Sequence, residues 1–132
     1  MVALIGAGQF GETFIRQCKR ISGMQISFVC DLQPERARAA LLAAGYDNSA
    51  FVSVGSNEEA ATALNNGQII ITEDYRLISG LPLDCVVEAT GSPEAAAQVG
   101  QITLMSGFHL VMITKEADIV VGPYLHKLAK TA

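Results

Sequence analysis

Met1-Val2-Ala3-Leu4-Ile5-Gly6-Ala7-Gly8-Gln9-Phe10-Gly11 decides the reading of this chain. Met1 to Ile5 is a short apolar run closed by glycine, and a run apolar on both sides suits a strand buried on both faces of a parallel sheet. Gly6 to Gly11 is a complete G-x-G-x-x-G. From Gln9 to Ser22 the residues Phe10, Phe14, Ile15, Cys18 and Ile21 recur at helical spacing, with Glu12, Arg16, Lys19 and Arg20 elsewhere on the surface. The motif alone is weak, because 12 glycines in 132 residues could produce it by chance. Its context strengthens it. A second strand, Gln25 to Cys30, ends at Asp31, about 20 residues past Gly11, where a dinucleotide fingerprint needs a ribose-binding carboxylate.

Each residue of the loop has its own physical reason. Gly6 permits the tight turn out of the strand, Gly8 lets a pyrophosphate approach the backbone, and Gly11 lets the helix pack closely on the sheet. The helix start, with Ala7, Gln9 and Phe10, offers unpaired N–H groups and a partial positive charge to the pyrophosphate. Asp31 would accept hydrogen bonds from the adenosine ribose and repel a 2′-phosphate, which favours NAD. Arg36 and Arg38 follow closely and could pair with that phosphate, so NAD and NADP both stay open. FAD is a third option. A nucleotide loop of the S-adenosylmethionine type fits less well, given the third glycine at Gly11.

Outward from this unit, strand and helix alternate. Pro34 introduces an alanine-rich helix to Ala44 that Gly45 stops, and Phe51 to Val54 reads as a third strand. Ser56 with Glu59 has capping-box spacing for a helix from Asn57 to Asn65. Gln68-Ile69-Ile70-Ile71-Thr72 is β-rich, either in the main sheet or in a side hairpin. Cys85 to Ala89 is a strand, Thr90-Gly91-Ser92-Pro93 a turn and Glu94 to Ser106 a helix. His109 to Thr114 is a further strand, and Ala117 to Lys130 a helix that Gly122-Pro123 interrupts. This order predicts a Rossmann-type, doubly wound α/β fold, a mainly parallel sheet with helices on both faces, as one domain over 1–132.

Composition narrows the function classes. Half the residues are apolar and 17% charged, which excludes a disordered chain. At this length roughly two thirds of the unfolded surface is buried, enough for a core. A net charge of −4 leaves a polyanion nothing to grip, so no nucleic acid is expected as partner. No apolar run reaches the roughly 18 residues of a membrane span, and the amino terminus lacks the features of a signal peptide. Cys18, Cys30 and Cys85 are too scattered for a disulfide framework or zinc site, so no metal and a cytoplasmic location are expected. Cys30 and Cys85 lie in apolar runs and read as small core residues. His109 reads as structural and His126 as part of a solvated face with Lys127 and Lys130.

In open parallel sheets ligands lie beyond the strands' carboxyl ends, so Ala89, Thr90 and Gly91 should face the nicotinamide half of a bound cofactor. Lys115 follows the next strand, where a lysine can stabilise a developing alkoxide or shuttle a proton.

Val2 to Gly8, Val86-Val87-Glu88-Ala89-Thr90-Gly91 and Ile113-Thr114-Lys115-Glu116-Ala117 together resemble the nucleotide-binding domain of homoserine dehydrogenases. The similarity extends to the homoserine-dehydrogenase-like oxidoreductases that carry a later SAF domain, a group that includes reductoisomerase-like enzymes acting on deoxyxylulose 5-phosphate. The resemblance covers nearly the whole chain. It implies a catalytic role for Lys115, which matches the lysine of that family's Asn-Lys pair, while Thr114 replaces the asparagine. It also implies a small-molecule substrate and a substrate and dimerisation domain beyond these residues. The mean hydropathy of +0.33 fits a face that another domain or a second copy covers, so a homo-oligomer is expected. Alone, the 132 residues should bind cofactor and turn over little. The alternative is a non-catalytic module that binds NAD(H) and senses redox state.

Overall fold

The apolar runs become the centre of one sheet. The computed structural model describes residues 1–132. Its strands are β1 (Val2–Ile5), β2 (Ile26–Cys30), β3 (Phe51–Ser53), β4 (Ile69–Thr72), β5 (Cys85–Glu88) and β6 (His109–Met112). They lie in the order β3-β4-β2-β1-β5-β6, and every neighbouring pair is parallel. The β-rich stretch that sequence left between two placements is thus a full member of the main sheet, seated between β3 and β2. The doubly wound α/β architecture is as expected.

Parallel pairing requires crossovers, and these cover both faces. Helices α1 (Gln9–Cys18) and α2 (Pro34–Ala43) cover one face, where Ile15 and Leu41 pack with Leu4, Val29 and Ile71. Helices α3 (Asn57–Asn65) and α4 (Pro93–Met105), with a 3₁₀ segment at Tyr75–Gly80, cover the other. There Ala60, Ile78 and Val99 pack with Ala3, Phe28, Ile70 and Val86. Every residue of β1, β2 and β4 is buried, which explains why they are apolar except for the small polar Ser27 and Thr72. The register of β1 on β2 slips after Val2, passing from Ile26 to Phe28 and leaving Ser27 at the irregularity.

Local signals set the helix starts. Ser56 Oγ accepts from Glu59 N–H at 3.2 Å, but the return arm of the box lands one residue early, Glu59 Oε2 accepting from Gly55 N–H. Ser92 caps α4 by accepting from Ala95 N–H, with Pro93 in the first turn.

The structure corrects several boundaries. Helix α1 ends at Cys18, four residues short of Ser22, because the i→i−3 bonds Arg20 N–H to Gln17 O and Ile21 N–H to Cys18 O tighten the last turn. Ile21 is therefore half exposed and not part of the apolar face. Phe10 also leaves that face: it is exposed and stacks on Phe14 with ring centroids 6.2 Å apart. Cys85 is only partly buried, whereas Cys30 and Cys18 are fully so. His109 is exposed at the start of the edge strand rather than packed.

The last helix is a larger correction. Gly122-Pro123 does not interrupt it: α5 runs unbroken over Lys115–Thr131 with Pro123 inside. Proline removes one intrahelical bond, to the carbonyl of Ile119, which sits on the exposed side where water can replace it. Tertiary packing offsets the loss. Gly100 of α4 has no side chain, and a Cβ there would stand 2.9 Å from Leu125 Cδ1, so the two helices dock at close range. Away from that contact α5 leaves Ile119, Val120 and Tyr124 exposed, and Val111 of the edge strand β6, beside Val87, is exposed on the same sheet face that α1 and α2 cover farther in.

Thr103, in the middle of α4, is fully buried and its hydroxyl has no partner. Thr103→Val is expected to stabilise the fold by about 1 kcal/mol, because an unpaired hydroxyl is exchanged for a methyl of the same shape. Urea unfolding checks this, and a loss of stability would mean that the hydroxyl has a bonding partner after all.

Candidate functional site

Chain order turns back at β1. Strand β2 lies on one side of it and β5 on the other, and the helices that follow β1 and β5 pack on opposite faces. Loops leaving the carboxyl ends of β1 and β5 therefore diverge and open a crevice, the place where ligands bind in open α/β sheets.

The three motif glycines differ in what surrounds them. Gly6 has φ +108°, and a Cβ on it would lie 2.3 Å from Ala89 O. A Cβ on Gly11 would lie 2.2 Å from Gly6 O. Backbone packing alone accounts for both. Gly8 is unlike them: its φ is −76°, open to any residue, and the nearest atom to a Cβ is Arg36 Nη2 at 3.1 Å, the far end of an exposed, flexible side chain. Packing does not explain a glycine at position 8.

Gly8 is also the N-cap of α1 and supplies no side-chain cap, so the amides of Gln9, Phe10 and Gly11 open toward the crevice without a partner from a capping residue. Gln9 and Phe10 are exposed there and Ala7 is buried. Asp31, at the end of β2, clamps the loop from below. Its Oδ2 accepts from Ala7 N–H at 2.8 Å and its Oδ1 from Gln33 N–H at 2.9 Å. Each oxygen keeps acceptor capacity toward the crevice. Of the two arginines, Arg36 lies over the glycine loop, whereas Arg38 bonds Ser53 Oγ and sits over the Phe51 ring.

Beside Asp31 the carboxyl ends of β2, β3 and β4 flank an open cavity of about 1060 Å³, lined among others by Leu32, Glu35, Thr72, Glu73, Tyr75 and Arg76. Leu32 is 87% exposed, an apolar side chain waiting on the rim. Arg76 pairs with Asp74 at 2.9 Å, and that hydrogen bond holds the Asp74 carboxyl below its usual range. Burial pushes the Cys30 thiol up to about 12, with further upward pressure from Asp31, Asp74 and Glu73. At this end of the crevice Asp31 and Glu73 stand without an ion-pair partner, whereas Asp74 is paired with Arg76.

The loop after β5 is tied to the start of α5. Ala89 and Thr90 are half-buried and Gly91 is exposed with φ +73°. Gly91 N–H donates to Thr114 Oγ1 at 3.1 Å. Beneath them Glu88 is fully buried, accepting from Thr90 and Thr114. Lys115 is not a loop residue: it is the first residue of α5, exposed, directly after Thr114. The structure thus gathers the glycine loop, Ala89 to Gly91 and Lys115 at one edge of the sheet, while the 1060 Å³ cavity lies at the Asp31 end and is lined by neither Gly8 nor Lys115.

Sequence reasoning missed Glu88 and the hydroxyl of Thr114 as parts of this site. The signal was present in a carboxylate closing the apolar run Cys85-Val86-Val87, where strand packing asks for no charge. It also missed the cavity wall from Thr72 to Arg76, which only the placement of β4 beside β2 creates.

No curated protein matches this chain. The family model described as NADP oxidoreductase, coenzyme F420-dependent, matches residues 1–73, a span that holds the glycine loop, Asp31 and Arg36 and stops before β5. It supports an NAD(P)-binding oxidoreductase domain. The segments that resemble homoserine dehydrogenases after β4 lie outside it. With more than half its length matched, strand, glycine loop and carboxylate included, the chain belongs to the family of coenzyme F420-dependent NADP oxidoreductases.

Proposed function

We propose that residues 1–132 form the dinucleotide domain of an oxidoreductase that moves a hydride between a nicotinamide and a small polar metabolite, with homoserine-dehydrogenase-like chemistry at Lys115. The observation that carries the reading is Gly8. Its backbone is ordinary and its surroundings are open, so the absence of a side chain serves close approach by something other than the protein. The uncapped start of α1 and the Arg36 guanidinium suit a pyrophosphate at that point. Asp31 would bind the ribose hydroxyls, and the neighbouring cavity would take the adenine. The cofactor, when bound, supplies the hydride chemistry.

Ala89, Thr90 and Gly91 would flank the nicotinamide, and Lys115 would hold or move a proton at the reacting oxygen. The exposed apolar residues Ile119, Val120 and Tyr124 of α5 support a covering partner, a further domain or a second copy, that completes the substrate pocket. Charge favours NAD over NADP here. Asp31 and Glu73 make the ribose end negative, Asp74 being paired with Arg76, and Arg36 serves the pyrophosphate instead of a 2′-phosphate.

Calorimetric titration with NADH and NADPH, on this chain and on Gly8→Ala, tests the reading. Saturable binding is expected, tighter for NADH, and at least about tenfold weaker in the variant with its melting temperature unchanged. Equal binding by both proteins, or none by either, overturns the site.

A further inference from the structure

Glu88 is the one charged side chain in the buried core, fully inaccessible and without a cation beside it. Its strand neighbours in register are Ile5 and Met112, so the sheet itself gains nothing from a carboxylate. All of its carboxylate's hydrogen bonds go to Thr90 and Thr114, in two separate segments. Oε2 accepts from Thr90 N–H at 2.8 Å, from Thr90 Oγ1 at 2.7 Å and from Thr114 Oγ1 at 2.7 Å, and Oε1 accepts from Thr114 N–H at 3.1 Å. The Thr114 hydroxyl donates to Glu88 and so turns its lone pairs to Gly91 N–H.

We infer that Glu88 is a positioning residue, a latch that fixes the Thr90–Gly91 loop to Thr114 and sets where Lys115 begins α5. The inference rests on the dinucleotide reading above, because the two loops it joins are those that would flank the nicotinamide. A buried carboxylate needs several strong donors to be tolerated. Here those donors come from two segments far apart in sequence, which makes each segment's position depend on the other's. Glu88 touches no ligand itself and works through Thr90, Gly91 and Thr114.

The test compares NADH with ADP-ribose, which lacks only the nicotinamide, in calorimetric titrations of the unchanged chain, Glu88→Gln, Thr114→Val and Thr114→Ser. Glutamine keeps the shape but turns an NH₂ toward donors, and valine removes the hydroxyl that both donates and accepts. Each is expected to weaken NADH about tenfold, the size of one misplaced charge-assisted hydrogen bond, and to leave ADP-ribose within about twofold. Thr114→Ser, which keeps the hydroxyl, should restore NADH binding. In the free protein Thr114→Val should speed hydrogen exchange at the Gly91 amide.

NADH binding unchanged in both Glu88→Gln and Thr114→Val overturns the latch, and so does an equal loss of NADH and ADP-ribose, which marks a role in the fold alone. Should Glu88→Gln fail to fold, the Thr114 pair decides. An unchanged chain that binds neither ligand overturns the dinucleotide reading, and the latch with it, independently of any variant.

Discussion

Gly6→Ala is expected to cost the folded state about 4 kcal/mol, combining a strained backbone with a steric clash. The φ of +108° is one that an L side chain rarely adopts, and the new Cβ would lie 2.3 Å from Ala89 O. Neither partner can step aside, since Ala89 N–H is bonded to Ile5 O at 2.8 Å and Gly6 N–H to Cys30 O at 2.7 Å. Small domains hold about 5–15 kcal/mol in total, so the variant should unfold at a much lower denaturant concentration. Gly8→Ala, measured beside it, should unfold where the unchanged chain does. Equal midpoints for Gly6→Ala and Gly8→Ala would contradict the division of the motif into glycines that the fold requires and one that it does not. The comparison also separates folding from binding: a Gly6 variant that binds poorly says nothing about the ligand, whereas a Gly8 variant that folds and binds poorly does.

Phe28→Ala is expected to cost about 3–5 kcal/mol, the range for removing a fully buried aromatic ring. Phe28 has no exposed surface and belongs to the cluster on the α3 and α4 face, with Ala60, Ile70, Ile78 and Val99. Its partner in register on β1 is Ala3 and on β4 Ile70. Ala3 is too small to close the gap that the ring leaves, so a cavity should persist rather than collapse. Phe28→Leu, which keeps most of the volume, should lose markedly less. Guanidinium unfolding of both variants checks this, and a cost below about 1.5 kcal/mol for the alanine variant would show that the site relaxes around the missing ring. Because Asp31 directly follows β2, a cavity under Phe28 is also expected to loosen the carboxylate that clamps Ala7.

Much of this was legible from residues alone. The apolar runs of β1 and β2, the glycine loop and Asp31 are local in sequence or separated by one helix, and their meaning follows from sterics and periodicity that every chain obeys. That is why fold class, strand order of reading and the Asp31 end of the crevice could be stated from Gly6 to Asp31 without a neighbour in view. Helix α1 was overrun to Ser22 because hydrophobic periodicity continues through Ile21 while the chain has already tightened to reach β2. Pro123 suggested a break in α5 because sequence shows the hydrogen bond lost and not the Gly100–Leu125 docking that offsets it.

Other properties arise only when distant segments meet. Nothing in Ile69 to Thr72 says whether it pairs with β2 or folds back as a hairpin; burial on both faces between β3 and β2 decides it. No motif distinguishes Gly8 from Gly6 and Gly11, since the difference is what a Cβ would strike, Ala89 O and Gly6 O in two cases and the tip of Arg36 in the third. Glu88 read only as one residue of the strand Cys85 to Ala89. Its place at the junction of Thr90, Gly91 and Thr114 depends on β5 and β6 lying side by side, a contact across more than twenty residues that sequence cannot display. The sequence by itself determined the alternating α/β plan and the loop that suits a dinucleotide, because strand burial, glycine turns and helix starts are short-range physics. The tertiary structure decided which glycine has open space around it, where α5 starts and what ties Thr114 to the Thr90–Gly91 loop, because hydrogen bonds and clashes between remote segments exist only once the chain is packed.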